Sequence, residues 1–86
     1  MSNNKIYLNN LNIAVTETLL KQHFAEYGDI TEINLPIDKK IRQPKGYAFI
    51  SFADEASATN ALKQDGETFL DKQITVQIAT EKRTKK

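Results

Sequence analysis

The chain has 86 residues with 12 basic and 11 acidic side chains, one histidine and no cysteine, for a formal net charge of +1. This length accommodates one domain, and the lack of cysteine excludes disulfides, thiolate metal sites and cysteine nucleophiles. No segment approaches the apolar length of a membrane span, and residues 1–5 lack the apolar run of a secretory signal. The expectation is a soluble, cytoplasmic monomer with no cofactor, metal or membrane partner, the nucleus staying open for a eukaryotic source.

Charge is unevenly placed. The segment 36–45 carries Lys39, Lys40, Arg42 and Lys45 against Asp38, and residues 80–86 carry Lys82, Arg83, Lys85 and Lys86 against Glu81. Each is net +3, which leaves the remainder at −5 against the total of +1. Lysine-rich loops and tails often serve solubility alone. Two basic flanks on an acidic body would also steer a polyanion to one surface.

In chain order, the alternation of Lys5-Ile6-Tyr7-Leu8-Asn9 predicts a first strand. Thr16 is the expected cap of a first helix, with Glu17 at its positive end. Leu20, His23, Phe24 and Tyr27 recur at helical spacing, and Gly28 ends the element. A second strand is predicted over 30–35, with Ile33 and Leu35 facing in and Glu32 and Asn34 facing out. Residues 36–44 read as a charged loop, and 45–52 as the third strand.

Asp54 then caps a second helix that presents Ala58, Ala61 and Leu62 inward and ends near Asp65-Gly66. Phe69-Leu70 belongs to a short connection, with a small hairpin as one option. The last strand is predicted over 73–79, with Ile74, Val76 and Ile78 inward and Thr75, Gln77 and Ala79 outward. Residues 1–4 form an extension, 5–80 the domain and 81–86 a basic tail. The order βαββαβ is that of a ferredoxin-like α+β sandwich, a four-stranded antiparallel sheet with two helices on one face. The other face is left open to water.

The most specific stretch is Lys45-Gly46-Tyr47-Ala48-Phe49-Ile50-Ser51-Phe52. Alternation along a strand puts Lys45, Tyr47, Phe49 and Ser51 on one face, and Gly46, Ala48, Ile50 and Phe52 on the other. The second set is a core surface. The first sets two aromatics beside a positive charge on the open side, a combination suited to stacking unpaired bases and meeting phosphate.

This octet resembles the longer signature of the RNA recognition motif (RRM) family, with Ile50 in place of valine. Ile6-Tyr7-Leu8-Asn9-Asn10-Leu11 resembles the family's shorter hexamer, and places Tyr7 and Asn9 outward on a neighbouring central strand. The resemblance covers residues 5 to about 80 and looks most like the stand-alone RRM proteins of bacteria.

It implies a binder of single-stranded RNA, with single-stranded DNA as a further ligand because stacking does not require a 2′-hydroxyl. By matched position, Tyr7 and Phe49 would each stack on a base, Tyr47 would insert between sugars, and Lys45 would meet a phosphate. Asn9, Thr75 and Gln77 are the implied donors and acceptors to base edges, helped by backbone groups near 79–82. Lys39, Lys40, Arg42, Lys82 and Arg83 are the expected phosphate contacts.

Four residues depart from this pattern or stand against it. Asp71-Lys72 replace a usual glycine before the last strand. His23 stands where leucine is common and reads as a half-buried structural residue. Glu32 is expected on the open face, where it reads as a solvated carboxylate that repels phosphate. An exposed aromatic patch is also compatible with a protein partner. Catalysis is not expected, because the only arginines, Arg42 and Arg83, fall in a loop and a tail and supply no buried anion cradle.

Overall fold

In a computed structural model of the chain, which describes residues 4–79, the strand alternation separates a dry face from a wet one. In β1 (Lys5–Asn9) Ile6 and Leu8 are buried, Lys5 and Tyr7 are half-buried and Asn9 is exposed. α1 (Glu17–Phe24), β2 (Ile30–Asn34), β3 (Ala48–Phe52), α2 (Glu55–Ala61) and β4 (Thr75–Ile78) follow. The four strands form one antiparallel sheet in the order β2-β3-β1-β4, the ferredoxin-like arrangement expected from the sequence. β1 and β3 are its central pair.

Both helices begin where a short polar side chain satisfies an orphan amide. Thr16 has an extended backbone, and its hydroxyl accepts from Leu19 N at 3.1 Å. Asp54 Oδ1 accepts from Ser57 N at 2.8 Å. That backbone bond, joined by the Ser57 hydroxyl, holds the Asp54 carboxyl below the usual carboxylate range. Each helix ends by tightening into a 3₁₀ turn, Ala25–Tyr27 after α1 and Leu62–Gln64 after α2.

The core lies between the helices and the sheet: Leu20 and Phe24 of α1 and Ala58 and Ala61 of α2 meet Ile6, Leu8, Ala48, Ile50, Phe52 and Val76. Burying a large apolar side chain is worth roughly 1.5–3 kcal/mol. Alanines at 58 and 61 let α2 lie close to the sheet. Where the turn after α1 crosses α2, Gly28 sits directly against Ser57.

Several boundaries differ from the sequence expectation. The hexamer strand stops at Asn9, because Asn10 adopts a left-handed φ of 62°. Pairing within the octet starts only at Ala48, since Gly46 has a φ of +96°. The charged loop is a small hairpin, with Ile37–Asp38 paired to Gln43–Pro44. The connection after α2 takes the hairpin option that the sequence offered, with Thr68–Phe69 paired to Lys72–Gln73.

β2 contains a bulge. Ile30 pairs with Phe52 and Glu32 with Ser51, so Thr31 is the extra residue. Ile30 and Ile33 therefore both turn to the dry face, three positions apart, although strict alternation would separate them. Thr31 is exposed and donates its hydroxyl to Ser51 O at 3.3 Å.

Candidate nucleic-acid interface

Cross-strand register arranges the open face into rows, because antiparallel partners share a face. Phe49 of β3 stands opposite Asn34 of β2 and Tyr7 of β1, and Tyr7 stands opposite Gln77 of β4. One central row thus reads Asn34, Phe49, Tyr7, Gln77 across the sheet. The row on one side contains Glu32, Ser51 and Lys5; that on the other contains Asn9 opposite Thr75.

The rings form one cluster. Tyr7 and Phe49 lie with centroids 5.2 Å apart, and Tyr47 is 6.1 Å from Tyr7 and 6.2 Å from Phe49. All three are half-buried by their contacts with one another and with the sheet. Such tilted and edge-on packing fixes ring orientation before any ligand arrives. Flat apolar faces remain for stacking, framed by the amides of Asn34 and Gln77 and the hydroxyl of Thr75.

Lys45 takes a different place from the one strand alternation assigns. The conformation of Gly46 interrupts the extended run, and Lys45 N donates to Pro36 O at 3.1 Å. Lys45 lines a shallow recess with Ile37, Asp38, Lys39 and Lys40, so it joins the basic hairpin rather than the aromatic row.

Asp38 organises that hairpin: its carboxylate accepts from Lys40 N at 2.9 Å and its carbonyl from Arg42 N at 2.7 Å. Lys39, Lys40 and Arg42 are all exposed there, a set of cations on a turn held by these two bonds. Lys82 and Arg83 lie outside the described residues, as do 80–82 of the expected backbone contacts.

Lys5 joins the candidate site, although neither motif includes it. Its ammonium stands 5.9 Å from the Phe49 centroid, within reach of a cation–π contact. The signal is available in the alternation, since Lys5 has the parity of Tyr7 and Asn9. Asn34, already read as outward, becomes part of the central row only once its pairing with Phe49 is seen. Glu32 is exposed on the open face as expected.

On the helical side, His23 is half-buried. Gln64 Nε2 donates to the Tyr27 hydroxyl at 2.6 Å, so Gln64 Oε1 is left to accept from His23 Nε2 at 2.7 Å. The imidazole stacks on Phe69 at 4.4 Å and meets the edge of Phe24 at 5.1 Å. These contacts tie α1 to the end of α2, a structural role remote from the open face.

Comparison with known proteins places this geometry. The sequence matches the RNA recognition motif family over residues 6–75. It is 35% identical over 79 residues to the mitochondrial glycine-rich RNA-binding protein 4 of Arabidopsis thaliana, covering 91% of this chain and 58% of that protein. It is 39% identical over 77 residues to the putative RNA-binding protein RbpA of Nostoc sp., covering 86% of this chain and 74% of that one. The chain spans little more than half of the plant relative's length and 28% of a second such relative.

Among solved structures, the N-terminal RNA binding domain of a hypothetical protein superposes with a TM-score of 0.88 at 31% identity, over 93% of this chain and 82% of that domain. With sequence, topology and the aromatic rows in agreement, the chain belongs to the RNA recognition motif family.

Proposed function

We propose that this domain binds single-stranded RNA on the open face of its sheet, and takes single-stranded DNA by the same stacking. The observation that carries the proposal is the central row: two rings on adjacent strands, 5.2 Å between centroids, held between amide side chains. Tyr7 and Phe49 each stack on a base, Tyr47 packs against sugar, and Asn9, Thr75 and Gln77 read base edges. Lys39, Lys40, Arg42 and Lys45 hold phosphate from the hairpin, and Lys82 and Arg83 do so from the tail. Residues 5–80 act as one monomeric binding domain, in the cytoplasm and without catalysis. Relatives named as RNA-binding proteins in a plant and in Nostoc support the ligand class.

The test is the double substitution Tyr7→Ala/Phe49→Ala. Base–aromatic stacking contributes about 1–3 kcal/mol per base, so binding of a short unstructured RNA should weaken by about 2–6 kcal/mol if the two add. Ring–ring contacts worth about 0.5–1.5 kcal/mol per pair are lost as well, so a modest fall in stability accompanies the change. Binding unchanged in the folded double variant would refute base stacking on this face.

A further inference from the structure

We infer that the Phe49 platform selects guanine, with Glu32 and Lys5 as the selecting side chains. The inference rests on the stacking reading and deepens it from a ligand class to a particular base. Ser51 is the register partner of both Lys5 on β1 and Glu32 on β2. The two charged residues thus stand on either side of one small residue, two strand spacings or about 10 Å apart. This row adjoins the one containing Phe49, and the Lys5 ammonium lies 5.9 Å from the Phe49 centroid. That ammonium lies over the ring, so a base resting on Phe49 would displace it to the base's own edge and would have a carboxylate within reach of another.

A carboxylate on a face that holds a polyanion repels it in general. What it attracts in a nucleic acid is a base edge that donates. Guanine alone sets two donors side by side, N1–H and the N2 amino group, at the spacing of the two carboxylate oxygens. Its O6 and N7, both acceptors, occupy the adjoining edges and suit the ammonium.

The other bases leave one carboxylate oxygen facing an acceptor. Adenine sets N1 beside its amino group, cytosine sets N3 beside its own, and uracil places its single N–H between two carbonyls. Ser51, short and neutral, leaves the floor between the two charges clear. Asn34, the partner of Phe49 on β2, is uncharged and favours no base by charge.

The experiment measures the full chain by fluorescence polarisation at one salt concentration, against heptamers of three uridines, one variable base and three uridines. The variable base is guanine, inosine, adenine, cytosine or uracil. Guanine should bind about tenfold or more tightly than adenine, with inosine, which lacks the amino group, between them. Glu32→Gln should bring guanine down to the level of adenine without weakening the adenine heptamer. Lys5→Gln should weaken the guanine heptamer more than the others. Circular dichroism confirms that these surface variants are folded.

Equal binding of all five heptamers that is lost in Phe49→Ala would leave stacking intact and overturn guanine selection. A guanine preference that survives Glu32→Gln would overturn the assignment to the carboxylate. Binding insensitive to Phe49→Ala would overturn the stacking reading and this inference with it.

Discussion

Replacing Gly28 with alanine should be among the most damaging single-methyl additions available in this chain, and the structure separates its cost into two parts. Gly28 has φ 156° and ψ −179°, a region that costs a residue with a Cβ about 1–3 kcal/mol. The added Cβ would also overlap Oγ and Cβ of Ser57 and come within 3.6 Å of its Cα. Ser57 cannot yield freely, because its amide donates to Asp54 at 2.8 Å in the cap of α2. Forced overpacking of this kind costs about 1–3 kcal/mol.

Together the two terms come to about 2–6 kcal/mol, out of a total stability of about 5–15. At about 4–8 °C per kcal/mol, the melting temperature falls by roughly 8–48 °C. Urea denaturation followed by circular dichroism, run as a double-mutant cycle, divides them. Ser57→Gly removes both overlapping atoms and leaves only an ordinary contact, so Gly28→Ala should cost about 1–3 kcal/mol less in that background. Ser57→Ala retains the Cβ and should give no comparable relief. A Gly28→Ala protein as stable as the wild type, or equal rescue by Ser57→Ala and Ser57→Gly, would refute the steric account.

Leu70 and Asp71 have φ of 54° and 64° at the centre of the second hairpin, where no glycine relieves the left-handed backbone. Asp71→Gly should therefore stabilise the fold by about 0.5–1 kcal/mol, left-handed relief less the added chain entropy, read as a higher urea midpoint. Asp54 is held below its ordinary value, so its ionised form stabilises the native state above the unfolded carboxyl value of about 3.9. That contribution is lost as pH falls through the lower folded value. The stability difference between wild type and Asp54→Asn, which keeps a cap oxygen, should be flat near neutrality and narrow below about pH 4; a constant difference down to acid unfolding would refute it. Neutralising Lys39, Lys40 and Arg42 should flatten the salt dependence of RNA affinity by about 0.7 in log–log slope per lost phosphate contact. An unchanged slope would show that the hairpin stands clear of the backbone.

The features legible in the sequence share a local cause. Thr16 and Asp54 announce helix starts because a cap is a bond between residues three apart. Tyr7, Phe49, Thr75 and Gln77 are found because alternation within one strand assigns their face. What stayed hidden depends on the partner strand or on a single torsion. The bulge at Thr31 exists only relative to β3, and no pattern within β2 marks it. Lys45 was assigned to the aromatic face by carrying alternation through Gly46, whose positive φ breaks it. The hairpin at Leu70-Asp71 was legible only as one option, because it lacks the Asn-Gly or Asp-Gly pair by which such turns are read. Lys5 had the right parity, but it lies outside both motifs, and its approach to Phe49 depends on the partner strand.

The place of β1 at the centre of the sheet governs how the site comes into being. Tyr7 is paired on one side with Phe49 and on the other with Gln77, partners that lie far along the chain in both cases. Closing such long loops must precede any reward from the contacts they make. The central row is drawn from all four strands, so its full complement of side chains is assembled only when the whole sheet is. Occupancy by a ligand accordingly reports the folded fraction of the whole molecule, and a bound ligand raises the global unfolding free energy in proportion to the logarithm of its concentration over Kd. Amides of β1 should exchange only through complete unfolding, and should slow further, together with those of the core, when the open face is filled.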